Sequence, residues 1–271
     1  MSKFIPIQEF LDISEKYCAP FQMLESAKQV NKWCEEKTHG KITKIIEELK
    51  ILLNAVYFKG EWTNKFLENN TQKKAFYNKG TEIKEVDTMV QLTHFSYYED
   101  NKIQVVELPY LDDGITSLII LPREDIDINK YITSLDTNQN SLIDLIEKLK
   151  YSKVNLELPK FELEFFSSLK DVLIDMGMEI AFTNRADFTG LREEGDLKID
   201  DVLHKTYLKV NENGTEAAAV TAVIIKKTSA RPKSEIVYQM KVNKPFLFFL
   251  RSKKLPVDND LLFMSKIEII E

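Results

Sequence analysis

The sequence predicts a mixed α+β fold, and three observations carry that prediction. Stretches with helical spacing of apolar residues alternate irregularly with short apolar runs of strand length. The 271 residues, 44% of them hydrophobic, suffice to bury a sizeable core in one large domain or two modest ones. No internal repeat, low-complexity block or Gly/Ser-rich linker divides the chain.

In chain order, Phe10, Ile13 and Tyr17 share one helical face, and a second amphipathic helix covers 26–36 with Gly40 as its stop. The apolar run 51–58, ended by Gly60, reads as a strand buried on both faces and therefore central in a sheet. Further strand signals fall at 104–108, at 117–121 before Pro122, at 154–158 before Pro159, and at 207–210. Helical periodicity intervenes at 141–149 and at 169–176, the latter closed by Gly177. The chain ends in a hydrophobic hairpin, 246–250 and 261–264, around a polar turn with Pro256 and Asp258; both arms are expected in the core.

Composition excludes several function classes. A net charge of -6 leaves no basic surplus for a phosphate backbone, so no nucleic-acid partner is expected, and the Lys73, Lys74 and Lys253, Lys254 pairs read as solvated surface. Cys18 and Cys34 are too few for a disulfide framework or a four-cysteine metal site. Charges at Lys3, Glu9, Asp12, Glu15 and Lys16 interrupt any signal-peptide core, and no segment has the length and apolarity to span a membrane. The triplets beginning at Asn69 and Asn213 fit the glycosylation pattern but are expected by chance at this length.

Catalytic chemistry is equally hard to place. His39, His94 and His204 stand in no metal-ligand spacing, and the nucleophile elbow, the Walker loop and the dinucleotide turn are all missing. Adjacent acids such as Glu35 with Glu36 and Glu193 with Glu194 suit a solvated surface better than paired acid and base roles. The chain therefore reads as a non-enzyme with no cofactor and no metal.

One segment breaks the globular pattern. Asn211-Glu-Asn-Gly-Thr-Glu-Ala-Ala-Ala-Val-Thr-Ala-Val223 joins a glycine to a string of small residues and leads into a polar stretch. Taken as a strand, one face carries Thr215, Ala217, Ala219, Thr221 and Val223, small and uncharged, while Glu216 lies on the other. Such a face can slide between existing strands, with Gly214 as pivot. An Ala-rich helix or a plain exposed loop fits the composition as well.

The wider context favours the first reading. The segment resembles the proximal hinge of the serpin reactive-centre loop, and ordered motifs resemble other serpin landmarks. They are Asn31-Lys-Trp-Cys-Glu-Glu-Lys-Thr-His-Gly-Lys41, Leu53-Asn-Ala-Val-Tyr-Phe-Lys-Gly-Glu-Trp62, Val106-Glu-Leu-Pro-Tyr110, Leu118-Ile-Ile-Leu-Pro122, Leu158-Pro-Lys-Phe161, Ala186-Asp-Phe-Thr-Gly190, Val202-Leu-His-Lys205 and Asn243-Lys-Pro-Phe-Leu-Phe-Phe249. The resemblance runs over nearly the whole chain and implies a single serpin-like α+β domain with a large mixed or antiparallel sheet, further sheets, helices and an exposed reactive-centre loop over about 211–242. It departs from the family at the start, where the first helices, the first sheet strand and a central buried helix are missing, so the resemblance is to an N-terminally truncated serpin.

The resemblance also implies a function: suicide inhibition of a serine peptidase, trypsin-like or elastase-like, with a cysteine peptidase as the alternative target. Gly214, Thr215, Glu216, Ala217, Ala218 and Ala219 form the loop hinge. Counting fourteen residues on from Gly214 gives Thr228–Ser229 as the reactive bond, with Lys227–Thr228 as the alternate. Asn54 and His204 match a hydrogen-bonded gate beneath the point where the sheet opens. The family expectation is an extracellular monomer, intracellular being the alternative, with neither nucleic acid nor membrane as partner. Set against inhibition are a non-inhibitory serpin-like binding or scaffolding protein and an inactive truncated form.

Overall fold

The computed structural model describes residues 7–16, 26–43, 51–111, 114–135, 142–190, 197–215, 235–256 and 260–271. In chain order the elements are α1 (Gln8–Lys16), α2 (Ala27–Lys37), β1 (Ile51–Tyr57), β2 (Gly60–Glu61), β3 (Gln72–Asn78), β4 (Glu82–Glu99), β5 (Ile103–Pro109) and β6 (Ile115–Pro122). There follow α3 (Ile128–Leu135), α4 (Leu142–Glu147), β7 (Lys150–Pro159), β8 (Phe161–Ser168), α5 (Lys170–Leu173), β9 (Asp201–Asn211), β10 (Gly214–Thr215), β11 (Val237–Lys241), β12 (Phe246–Ser252) and β13 (Leu261–Ile267). The chain, expected as one domain, groups into two compact units: Met1–Tyr57 with Leu163–Tyr207, and Phe58–Glu162 with Leu208–Glu271. The chain passes between them repeatedly, which is why no linker in the sequence marks them.

In the first unit, Ser26 caps α2 by accepting from the Gln29 amide, and the helix ends where His39 and Gly40 take positive φ, as the Gly40 stop predicts. Thr38 secures that end, donating to the Cys34 carbonyl at 2.6 Å and accepting from the Ile42 amide at 2.9 Å. Cys34 packs with Val30, Ile42, Leu203 and Tyr207. Burial pushes its thiol up to about 11 against the pull of Lys205, so it is a packing residue rather than a nucleophile. Cys18 lies outside the described residues. β1 and β9 run parallel through seven rows, from Ile51 opposite Asp201 to Tyr57 opposite Tyr207. The burial expected for β1 side chains falls outside what is described.

The second unit holds an eight-stranded mixed sheet in the order β11-β7-β4-β5-β6-β12-β13, with β3 beside β4. All its neighbours are antiparallel except β11 with β7. β6 and β12 are buried on both faces, which explains their unbroken apolar runs. One face packs α3 and α4 through Ile103, Val105, Leu118, Ile120, Leu247 and Phe249. On the other, Phe161 meets Phe246 and Phe248 edge to face. The one charge within the β12 run, Arg251, is paired to Asp260 and Glu107.

Two sequence expectations change. The final hairpin forms, but only β12 is core. β13 ends the strand order, and Leu261, Leu262 and Met264 are exposed. The expected 169–176 helix shortens to α5, followed by a π turn over Ile174–Met178 in which Gly177 sits at φ 99°.

Phe248→Ala should lower the free energy of unfolding by about 3–5 kcal/mol, whereas Ile83→Ala, on an exposed site of β4, should change it by less than about 0.5 kcal/mol; denaturant midpoints of the two variants test this.

Candidate functional site

The end of β9 and the start of the predicted loop are built by close backbone approach. β9 ends at Asn211, the chain turns, and Gly214–Thr215 folds back antiparallel on Val210 and Asn211 as β10. On its other side β10 pairs with Gly60 and Glu61 of β2. A Cβ on Gly214 would lie 2.1 Å from the Gly60 carbonyl oxygen, and φ is +145°, so the strand contact requires glycine here. Gly60 is constrained likewise, since a Cβ there would meet the rings of Phe58 and Tyr110 at 2.8 Å.

Three aromatic side chains grip this turn. Trp62 stacks on Tyr110 with centroids 4.3 Å apart, and Phe58 meets Tyr110 edge to face at 5.0 Å. The Trp62 indole donates to the Asn211 carbonyl and its backbone amide to the Asn213 carbonyl, both at 2.9 Å. The Tyr110 and Thr215 hydroxyls lie 2.7 Å apart, and both residues are buried. Burial raises the phenol of Tyr110 well above its ordinary range, so it stays neutral and able to donate.

Glu212 anchors the turn by charge. Its carboxylate accepts from the Thr71 hydroxyl at 2.7 Å and faces Lys160 Nζ at 3.2 Å, while its carbonyl accepts from the Phe66 amide. Burial opposes its charge, but the Thr71 hydrogen bond, a backbone hydrogen bond and Lys160 outweigh it, and the carboxyl is held below the usual range.

The two residues expected to form a gate meet through the backbone: β1 and β9 set Asn54 opposite His204. His204 Nδ1 is buried with no hydrogen-bond partner among the described residues, and its ring is 6.4 Å from Phe165. The Asn54 side chain lies outside the described residues, as do Glu216, Ala217, Ala218, Ala219, Lys227, Thr228 and Ser229. The loop expected over 211–242 is flanked by strand at both ends, since Asn211 closes β9, Gly214 and Thr215 pair as β10, and Val237–Lys241 pairs with β7. The cause is backbone pairing available to both ends. Sequence reasoning missed Trp62, Thr71, Tyr110, Lys160 and Glu212 as parts of the site. Trp62, Tyr110 and Lys160 stood in serpin-like motifs and Glu212 in the hinge segment, each without a role, and Thr71 stood only in a glycosylation triplet. Among the described residues no group of three His, Cys, Asp or Glu side chains converges as a metal site needs.

The chain is similar to known proteins in sequence and in fold. Residues 7–269 match the family model described as Serpin (serine protease inhibitor). Iripin-5 of Ixodes ricinus is 38% identical over 88% of this chain, which spans 61% of that protein's length. The thermophilic serpin tengpin in its native state superimposes with a TM-score of 0.82 at 29% identity, over 100% of this chain and 71% of tengpin. Human thyroxine-binding globulin complexed with its hormone also gives 0.82, at 25% identity, over 98% of this chain and 72% of that one.

Because its folded-state pKa is depressed, Glu212 contributes stability that is present above the ordinary glutamate value and lost as pH falls through the lower one. Denaturant midpoints should therefore fall for the parent chain as pH drops below about 4, and the fall should be shallower in Glu212→Gln, which should also be less stable at neutral pH.

Proposed function

Because the chain belongs to the serpin family of serine protease inhibitors, we propose that it traps a serine peptidase. The segment after Thr215 is offered as bait, is cut, and enters as a strand between β1 and β9. An agreement of strand registers carries this reading. Thr215 lies opposite Val210 of β9 on one side and Gly60 of β2 on the other. Continued antiparallel, each later residue steps back one place on both neighbours. Ala218 then meets Tyr207 and Tyr57, Thr221 meets His204 and Asn54, and Ile224 meets Asp201 and Ile51. Those are the pairs that β9 and β1 now make with each other. A strand continuing from Thr215 fits the seam without a register slip.

The exchange is favourable on elementary grounds. One parallel ladder is replaced by two antiparallel ones, which pair slightly better per residue. About ten added hydrogen bonds at about 1 kcal/mol each supply on the order of 10 kcal/mol before side-chain burial. Beyond Thr215, the entering face carries Ala217, Ala219, Thr221 and Val223, so it brings neither bulk nor charge into the sheet.

The peptidase serine attacks the bait carbonyl, forms an ester with the residue before the cut, and releases the amine of the next residue. Deacylation needs water, the histidine and the oxyanion hole in register. Insertion drags the tethered enzyme and disturbs that geometry, so the ester persists. Thr228–Ser229 suits an elastase-like target and Lys227–Thr228 a trypsin-like one, while Arg231 is shielded by Pro232. A second reading, non-inhibitory binding, is favoured by the similarity to thyroxine-binding globulin.

Incubation with trypsin and with pancreatic elastase, followed by a denaturing gel and mass spectrometry of the released peptide, tests both. A complex that survives denaturation is the expected result, and cleavage without it favours the binding reading. Ala217→Arg should abolish the complex while leaving loop cleavage intact, because a charge would have to enter the sheet.

A further inference from the structure

Beyond the bait loop itself, the geometry points to Tyr110 as a positioning residue that holds the hinge engaged before any peptidase arrives. Thr215 is fully buried. It already pairs with Val210 of β9 and with Gly60 of β2. The Tyr110 hydroxyl, 2.7 Å away, satisfies the Thr215 hydroxyl in a place that water does not reach. The Tyr110 ring has little freedom to leave, being stacked on Trp62 and met edge to face by Phe58. Trp62 in turn holds the carbonyls of Asn211 and Asn213. One aromatic group thus grips the end of β9, the turn, and the first hinge strand together.

The consequence is kinetic. Starting a new strand fixes several backbone angles before many hydrogen bonds return the cost. With Gly214 and Thr215 already in place, that nucleus exists, and insertion after cleavage is extension only. This inference rests on the loop-insertion reading above, in which trapping is a race between insertion and deacylation. Losing the Tyr110 hydroxyl leaves the Thr215 hydroxyl buried without a partner, which favours withdrawal of the hinge. The cut loop then starts later, and more inhibitor is consumed as substrate for each peptidase trapped.

Amide hydrogen exchange on the free chain tests the positioning role without any peptidase. Tyr110→Phe should speed exchange in the peptide covering Gly214 and Thr215 by about tenfold, with exchange in β12 unchanged. Thr215→Val should match it, Thr215→Ser should behave like the parent, and the Tyr110→Phe, Thr215→Val pair should add nothing to either change alone. Unchanged hinge exchange in Tyr110→Phe, or an equal rise across β12, would overturn the inference. In a trapping assay the same Tyr110→Phe chain should need several times more inhibitor per peptidase; an unchanged ratio beside a freed hinge overturns the kinetic part. A parent chain that traps nothing sinks the proposed function instead, and leaves the exchange result to decide the positioning role.

Discussion

The parallel pairing of β1 with β9 is the constraint on which the rest depends. Two parallel strands can accept an antiparallel third between them only if its register suits both, and the seven rows from Ile51 and Asp201 to Tyr57 and Tyr207 have that property relative to Thr215. In the proposed insertion, the small residues that follow Thr215 in the sequence, Gly214 and the turn that reverses the chain at the end of β9 all serve that single arrangement. A one-residue insertion between β1 and β2, or between β9 and β10, would break it, because every entering side chain would change face.

The turn is held by forces of different range. Glu212 is fixed by a hydroxyl and an ammonium, so its hold depends on ionisation. Trp62 and Tyr110 hold the same turn through ring packing and neutral hydrogen bonds, which do not titrate near neutral pH. Gly60 and Gly214 contribute by lacking a Cβ where the two backbones approach. The turn is thus fixed in several independent ways.

Much of this was legible in the sequence because local pattern and burial coincide. The run 51–58 was recognisable as a strand, β6 and β12 announced themselves by unbroken apolar residues, and Gly214 with Thr215 stood out at the head of a small-residue string. What escaped depends on contacts remote in sequence. Glu212 and Lys160 look like surface charges until folding brings them within 3.2 Å. Tyr110 ends a strand motif with nothing local to assign it to Thr215. β4 was missed because its polar and apolar residues follow a half-exposed ladder rather than an apolar run. β13 was placed in the core because composition does not distinguish a strand with neighbours on both sides from one at the end of the order.

In the proposed inhibitory cycle the loop becomes a strand between β1 and β9, in the register set by Thr215. A crystal structure of the chain after a single cut in the loop tests it most directly. Thr221 should then lie between Asn54 and His204, with β1 and β9 no longer bonded to each other. Asn54 still opposite His204 in an intact parallel ladder, with the cut segment outside the sheet, would contradict it.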